Sequence, residues 1–512
     1  MDSETLGKPA DVFDRDAEWA DLADFLLSPS PGLRIAVVYG RRRQGKSYLL
    51  RRLADAVGGL YHLATEQAEL VSLRRFGDSL ANWARLPAGS FGFGDWEPAL
   101  RTAAEVLTAR AGSTTVPPRG PSLLVLDEFP YLMQETPGLP SIVQSLYDNL
   151  GPGAGPGGGL PLRLILCGSA ISVMGDLLSG TKALRGRAAL EQRIRPFGYR
   201  DTRCYWEIEN PMAAFAHHAL IGGTPGYREL VLDPRFPEDW AQLGSWLARN
   251  VLRPSMPLFD EARRVVHEDP RIRDAAAYSS VLAAVAAGES SPTKIGGLLG
   301  RPATSLAHQL DSLASAGFID RRHDLLLGRR PVITVADPMV RLHQLVIEPY
   351  QADLEAGRAR EIWGEVTHTV DSKIFGPHFE ALAADWVARY AAIEAGLPVG
   401  PVGQTDIACR EHKTSHEIDV LALARGARPR TAGAPIAFIG EAKHRDRRPG
   451  LAELRRLEHL RELLTAAGHD AAGAVLGLFS TTGFTQDLIA GAASGQGKIL
   501  LTSLELLYGQ HP

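Results

Sequence analysis

The sequence predicts an α/β protein of several domains, with a parallel sheet near the N-terminus and a second αβ domain at the C-terminus. Three observations carry this. The apolar runs RIAVVY (34–39), SLLVLDE (122–128) and LRLILCGS (162–169) have the length of buried strands, and helical spacing follows the first of them in YLLRRLADAV (48–57). Strands that alternate with helices build parallel sheets covered on both faces. From about residue 365 another αβ pattern begins: a long helix, strands at 416–422 and 435–441, a helix at 450–467 and a strand at 473–480. Finally, 512 residues exceed what one core serves, so two to four domains are expected.

Composition narrows the class. A hydrophobic fraction of 45% with 22% charged residues is that of a globular protein. No apolar run of about 18 residues exists, so neither a membrane span nor a membrane partner is expected. The acidic opening MDSETLGKPADVFDRDAEW has no apolar stretch and does not read as a secretory signal. Cys167, Cys204 and Cys409 are scattered, with neither a disulfide framework nor metal-ligand spacing, which fits a reducing cytoplasm. His412 and His416 read as solvated loop histidines. The net charge of −4 does not suggest nucleic acid, but the local patches RRRQGK (41–46), RRH (321–323), RR (329–330) and KHRDRR (443–448) do.

GRRRQGKS fits the phosphate-loop pattern G-x-x-x-x-G-K-[ST] and stands between a predicted strand and a predicted helix, the context this motif requires. Gly40 and Gly45 let the backbone wrap phosphate oxygens. Together with the intervening Arg41, Arg42, Arg43 and Gln44 they form a nest of N–H groups at a helix N-terminus, which favours an anion. Lys46 would reach the β- and γ-phosphates of ATP, and Ser47 would offer its hydroxyl to Mg²⁺. Asp127 and Glu128 end an apolar strand, where the carboxyl edge of the sheet lies beside such a loop. Asp127 would hold Mg²⁺ through water, and Glu128 would polarise the attacking water.

Taken with DVFDRDAEW (11–19), LLVLDEFPYL (123–132), LILCGSAISVM (164–174), LLSGTKALRGR (177–187) and IGGTPGY (221–227), the chain resembles the archaeal-type P-loop ATPases of the AAA+/STAND-like class. The resemblance spans about residues 10–350. It implies a P-loop ATPase core over 1–200 and a helical lid over 201–274 that contains Gly222, Gly223 and Pro225. It also implies a sensor role for Ser169 and an arginine, Arg185 or Arg187, that approaches the γ-phosphate. Between these two arginines the segment does not choose.

Residues 275–350 read as a winged helix. A short helix over 294–299 stops at Gly300, the turn RPAT follows, and Leu306, Leu310 and Leu313 line a longer amphipathic helix that stops at Gly317. FIDRR…RRPVITV then reads as a hairpin. In such a module the second helix can enter a major groove. Arg301, Thr304, Ser305, His308 and Gln309 would lie on its exposed side, and Arg321, Arg322, Arg329 and Arg330 on the wing, against phosphates. Residues 351–364 read as a linker.

In the last domain, 365–512, SHEIDVLAL (415–423) delivers Asp419, and FIGEAK (438–443) delivers Glu441 and Lys443 to one face, because strand side chains alternate. Two antiparallel strands joined by a loop set Asp419 beside Glu441. Two carboxylates for Mg²⁺ and one amine for water form a set suited to phosphodiester cleavage. This arrangement resembles the PD-(D/E)xK nucleases of the restriction-endonuclease-like fold. The resemblance implies a supporting acid from a preceding helix, a role that Glu380 in GPHFEALAADWVARY fits. The signature's proline before the aspartate is Ile418 here.

The expected function is thus an ATP-controlled, Mg²⁺-dependent DNA nuclease in the cytoplasm, with ATP and Mg²⁺ as cofactors and DNA as partner. Homo-oligomerisation is left open. The alternatives are an ATP-switched DNA-binding regulator and a P-loop protein with no nucleic-acid role.

Overall fold

Buried β-branched and leucine side chains set the first sheet. All four inner residues of RIAVVY are buried, and so is every residue of LRLILCG. A computed structural model of the chain describes residues 6–111, 122–154, 159–269, 271–272, 274–328, 331–409, 413–494 and 498–509. It divides into two units.

The first unit comprises residues 1–196 with two short returns, at 224–226 and around Asp269. Its five strands are β1 (Arg34–Tyr39), β2 (Leu60–Leu63), β3 (Ser122–Asp127), β4 (Leu162–Gly168) and β5 (Ala188–Arg193). They lie in the order β2-β3-β4-β1-β5, all parallel. One apolar layer packs on each face of the sheet. Leu73, Phe76, Trp96 and Leu100 belong to one, and Trp19, Leu22, Leu50 and Leu53 to the other. The ends of β1, β3 and β4 therefore meet at one edge, where the α/β architecture places its ligands.

The second unit holds most of 197–512. The expected helix–turn–helix and C-terminal segments fall within it, as does the expected lid apart from those two returns. Its middle part has the helix Pro292–Leu298, a 3₁₀ turn Ala303–Leu306, the helix Ala307–Ser315 and a hairpin of β6 (Ile319–Arg322) and β7 (Val332–Val335). The second helix starts later than its periodicity suggests, because Pro302 leads into a tighter 3₁₀ turn. Gly317, at φ 73°, ends the turn after it. Arg329, Arg330 and His412 lie outside the described residues.

Residues 351–364, expected as a linker, are helical instead. The helices Gln351–Glu355 and Ala359–Val370 bury Leu354, Ala359, Ile362 and Val366. The polar character that suggested a linker belongs to their outer faces.

The C-terminal sheet has β8 (Val399–Cys409), β9 (Thr414–Ala424), β10 (Ile436–Lys443), β11 (Val475–Ser480) and β12 (Ile499–Ser503), in the order β12-β11-β10-β9-β8. It is mixed: β8, β9 and β10 run antiparallel, while β10, β11 and β12 run parallel. The helices Gly376–Arg389 and Leu451–Ala466 both pack on this sheet. Among the described residues, no helix is long and apolar enough to cross a membrane.

Candidate functional site

The phosphate loop follows β1 and leads into the helix Lys46–Val57. Its glycines are required by geometry. A Cβ at Gly40 would stand 2.2 Å from the Ile194 carbonyl oxygen. Gly45 sits at φ 87°, the left-handed region. This narrow, backbone-lined cradle fits a phosphate. Lys46 is buried, and its ammonium donates to the loop's own Arg41 carbonyl at 2.8 Å.

Neighbouring segments hold the loop from both sides. Arg15, buried, donates to the carbonyls of Gln44 at 3.2 Å and Arg195 at 2.7 Å. The Gly226 N–H donates to the Arg43 carbonyl at 3.1 Å, and Arg42 pairs with Glu268. The IGGTPGY segment thus reaches the loop through Gly226.

Asp127 is fully buried at the end of β3. It accepts from the Tyr61 hydroxyl at one oxygen and from the Glu128 N–H at the other, 2.9 Å. Burial first, and then Asp127, push the Tyr61 hydroxyl well above its ordinary pKa, so the phenol stays protonated and donates. Ser47 is near enough to the same hydroxyl to offset part of that rise. Tyr61 thus stands beside both residues expected to serve Mg²⁺, a position that sequence alone did not reveal. Glu128, at φ 53°, accepts from the Ser169 hydroxyl at 2.9 Å and from the Ser169 N–H at 3.2 Å. The two ends of β3 and β4 are joined by that contact.

Arg185 and Arg187 are not brought to this edge. Both precede β5, whose first residue Ala188 pairs with Ile35 at the start of β1. They therefore lie at the sheet's opposite edge from the phosphate loop of the same chain. Arg187 forms a two-point pair with Asp148 at 3.0 and 3.1 Å, and Arg185 donates to the Gly180 carbonyl at 2.6 Å.

In the second unit, β9 and β10 pair Val420 with Gly440, so Asp419 and Glu441 come next to one another. A β-bulge marks this point of β9, between the pairs Gly403–Leu421 and Thr405–Ile418. Bulges re-aim side chains beside functional sites. Asp419 accepts from the Ala442 N–H at 2.9 Å. The Lys443 ammonium lies 2.5 Å from Glu441 Oε1 and 3.6 Å from Asp419 Oδ2. Arg456, from the helix Leu451–Ala466, meets the same Glu441 oxygen at 3.2 Å.

The second oxygen, Glu441 Oε2, is buried and has no hydrogen-bond partner among the described residues. A buried carboxylate oxygen left in this state is costly. A hard cation is an apt partner for it, so the residues present fit Mg²⁺.

Glu380, on the helix Gly376–Arg389, faces the same acids. Its carboxyl is raised to about 7, first by burial and then by Asp419 and Glu417. Burial also raises Asp419 and Glu417. Glu417 joins this acidic group without having been singled out from sequence, although it stands two residues before Asp419 on the same strand.

A pH effect follows. The folded chain keeps a proton on Glu380 between the ordinary carboxylate range and pH about 7, and the unfolded chain does not. Stability of the metal-free protein is therefore greatest below that range and falls as pH rises through 7. Glu380→Gln should match wild type near pH 5 and exceed it near pH 8, measured by thermal unfolding in chelator. Identical profiles for the two proteins would remove Glu380 from the acid cluster.

Two described arginines of the hairpin, Arg321 and Arg322, have acidic neighbours within the chain. Arg321 pairs with Asp311 at 2.6 Å, and Arg322 is close enough to Glu380 to oppose its raised pKa. The hairpin tip docks on β8. Leu325 is buried among C-terminal core residues, its N–H donates to the Gln404 carbonyl at 3.3 Å, and Asp324 accepts from the Thr405 hydroxyl at 2.8 Å. Arg301, Thr304 and Ser305, expected on the second helix, are exposed ahead of it instead, Arg301 before Pro302 and the other two in the 3₁₀ turn; on the helix itself His308 is exposed and Gln309 is half-buried.

No family model matches the chain. An uncharacterized protein of Methanocaldococcus jannaschii, MJECL04, is 26% identical over 317 residues, which cover 60% of this chain. The match spans 62% of that relative's length. Among solved structures, the chain is similar to the Walker-type ATPase PABY2304 of Pyrococcus abyssi, with 18% identity and a TM-score of 0.48 over 65% of this chain and 96% of that one. It is also similar to the ORC2 protein of Aeropyrum pernix in its ADPNP–ADP complexes, with 13% identity and a TM-score of 0.40 over 71% and 98%. Similarity at this level assigns no activity to the chain.

Proposed function

We propose that the chain binds and hydrolyses ATP at the phosphate loop and cleaves DNA at the Asp419–Glu441–Lys443 cluster. The observation that carries the second half is Glu441 Oε2, a buried carboxylate oxygen without a hydrogen-bond partner among the described residues, next to a second acid and a lysine.

In the first unit the roles are those of a P-loop ATPase. The loop's backbone and Lys46 would bind the β- and γ-phosphates, and Ser47 and Asp127 would hold Mg²⁺, which when bound would supply charge neutralisation to the phosphates. Glu128 orients the attacking water. Ser169 holds Glu128 by one carboxylate oxygen at 2.9 Å, which leaves the other oxygen for the water.

In the second unit Asp419, Glu441 and the Ala442 carbonyl would hold Mg²⁺, which when bound activates water and offsets charge on the phosphoryl oxygens. Lys443 orients or deprotonates that water. Glu380 supports the acids from its helix. The test is purified full-length chain on single- and double-stranded DNA with Mg²⁺ or Mn²⁺, with and without ATP. Metal-dependent cleavage is expected. Its absence in every nucleotide state rejects the nuclease reading.

The second reading is an ATP-switched DNA-binding regulator that does not cleave. It is favoured by the exposed Arg301, Thr304 and Ser305 in the turn before the helix Ala307–Ser315 and the exposed His308 on it, whose companion hairpin is occupied within the chain. Under either reading Arg301→Ala should lower the slope of log affinity against log salt by about one if Arg301 meets a phosphate. Arg321→Ala should leave that slope unchanged, because Arg321 already serves Asp311. The reverse result would put the DNA on the hairpin.

A further inference from the structure

Cys409, His416 and His459 are far apart in sequence and serve neither site described above. Cys409 ends β8, His416 stands near the start of β9, and the helix Leu451–Ala466 carries His459. In the hairpin register Cys409 is opposite Thr414, and Ile407 is opposite His416. Side chains two apart on a strand share a face, so Cys409 and His416 project to the same side. Leu454, Leu457, Leu460 and Leu464 pack the helix on that sheet with Ile418, which brings His459 over the pair.

One donor atom from each residue, a sulfur and two imidazole nitrogens, lies within 4.8 Å of the others. Cys409 Sγ and His459 Nε2 are 3.6 Å apart. Around tetrahedral zinc, sulfur at about 2.3 Å and nitrogen at about 2.05 Å stand about 3.6 Å from each other. The pair therefore already has the spacing of two zinc ligands. Cys409 is 2% exposed, while both histidines are half-buried, so a fourth ligand can come from solvent. The expectation of a solvated loop histidine at 416 is corrected here: the residue is on a strand, beside a thiol and a second imidazole.

We propose that Cys409, His416 and His459 form a zinc site with water in the fourth position. One thiolate and two imidazoles are a donor set that zinc takes. On binding, the Cys409 thiol releases its proton to solvent, and both imidazoles bind neutral. The ion would join β8, β9 and the helix Leu451–Ala466 at one point. That helix also presents Arg456, three residues before His459, to Glu441 at 3.2 Å. The zinc would thus fix the helix that supports the acid cluster without belonging to that cluster.

The test uses the full chain carrying Asp419→Asn and Glu441→Gln, so that the acid cluster does not contribute a metal signal. The protein is stripped with chelator, titrated with Co²⁺ as the spectroscopic probe, and then with Zn²⁺. One equivalent of Co²⁺ should give thiolate-to-cobalt charge-transfer absorption that Zn²⁺ abolishes. Cys409→Ser should remove this absorption. His459→Ala, at a half-buried helix position that tolerates change, should weaken Co²⁺ binding by more than about a hundredfold, beyond the cost of losing a mere orienting partner. Absence of the absorption at saturating Co²⁺, its survival in Cys409→Ser, or an unchanged affinity in His459→Ala overturns the proposal. What remains is then an ordinary hydrogen bond between Cys409 and His459.

Discussion

Asp419→Ala, Glu441→Gln and Lys443→Ala should each abolish metal-dependent DNA cleavage while ATP turnover stays near the wild-type rate. The three residues serve one step. Asp419 and Glu441 hold the cation and Lys443 serves the water, so a pair of changes should cost little more than one. Loss of Lys443 alone should cost about 10²–10⁴ in rate, the usual contribution of a positioned acid or base. Glu441→Gln is preferable to alanine. The buried acid neutralises both Lys443 and Arg456, and the amide keeps its volume while removing the charge. ATP turnover is spared because Ser47 and Asp127 belong to the other unit. Cleavage by Glu441→Gln at the wild-type rate, with Mg²⁺ as the sole cation, would sink the assignment.

Lys46→Ala should weaken ATP binding by about a hundredfold, the upper range for one hydrogen bond to a charged group. Lys46 is buried beneath the loop and bonded to the Arg41 carbonyl. Its ammonium is therefore already held at the loop before nucleotide arrives. Glu128→Gln should behave differently, keeping affinity and slowing hydrolysis, because the amide can still meet Ser169 but cannot accept a proton from water. Titration with a fluorescent ATP analogue separates the two. Equal affinity in wild type and Lys46→Ala would remove ATP from this loop.

Much of the architecture was legible because it rests on local rules. Four consecutive buried residues between polar ends announce β1, and the glycines of GRRRQGKS follow from a left-handed φ and a close carbonyl. Asp419 and Glu441 could be paired because alternation and one hairpin connection fix which side chains meet. What was illegible depends on non-local contact. Tyr61 lies on a four-residue strand with no motif, and only the β2–β3 pairing brings it to Asp127. Arg15 was visible inside DVFDRDAEW, but its grip on Gln44 needs the folded chain. Residues 351–364 look like a linker because the apolar positions of their short helices are sparse. Arg185 and Arg187 carry the complementary lesson. Their segment matches a pattern, yet the sheet's direction places them at the far edge.

The docking of Leu325 and Asp324 on β8 has a consequence for how the molecule survives in a crowded solution. β8 is an eleven-residue outer strand, long enough to recruit a strand from another chain through its unpaired backbone groups. The hairpin tip takes up the Gln404 carbonyl and buries Leu325 there. It therefore acts as a stopper on a surface that would otherwise template aggregation. Leu325→Asp would loosen the stopper, and the first symptom should be loss of solubility on concentration rather than loss of catalysis.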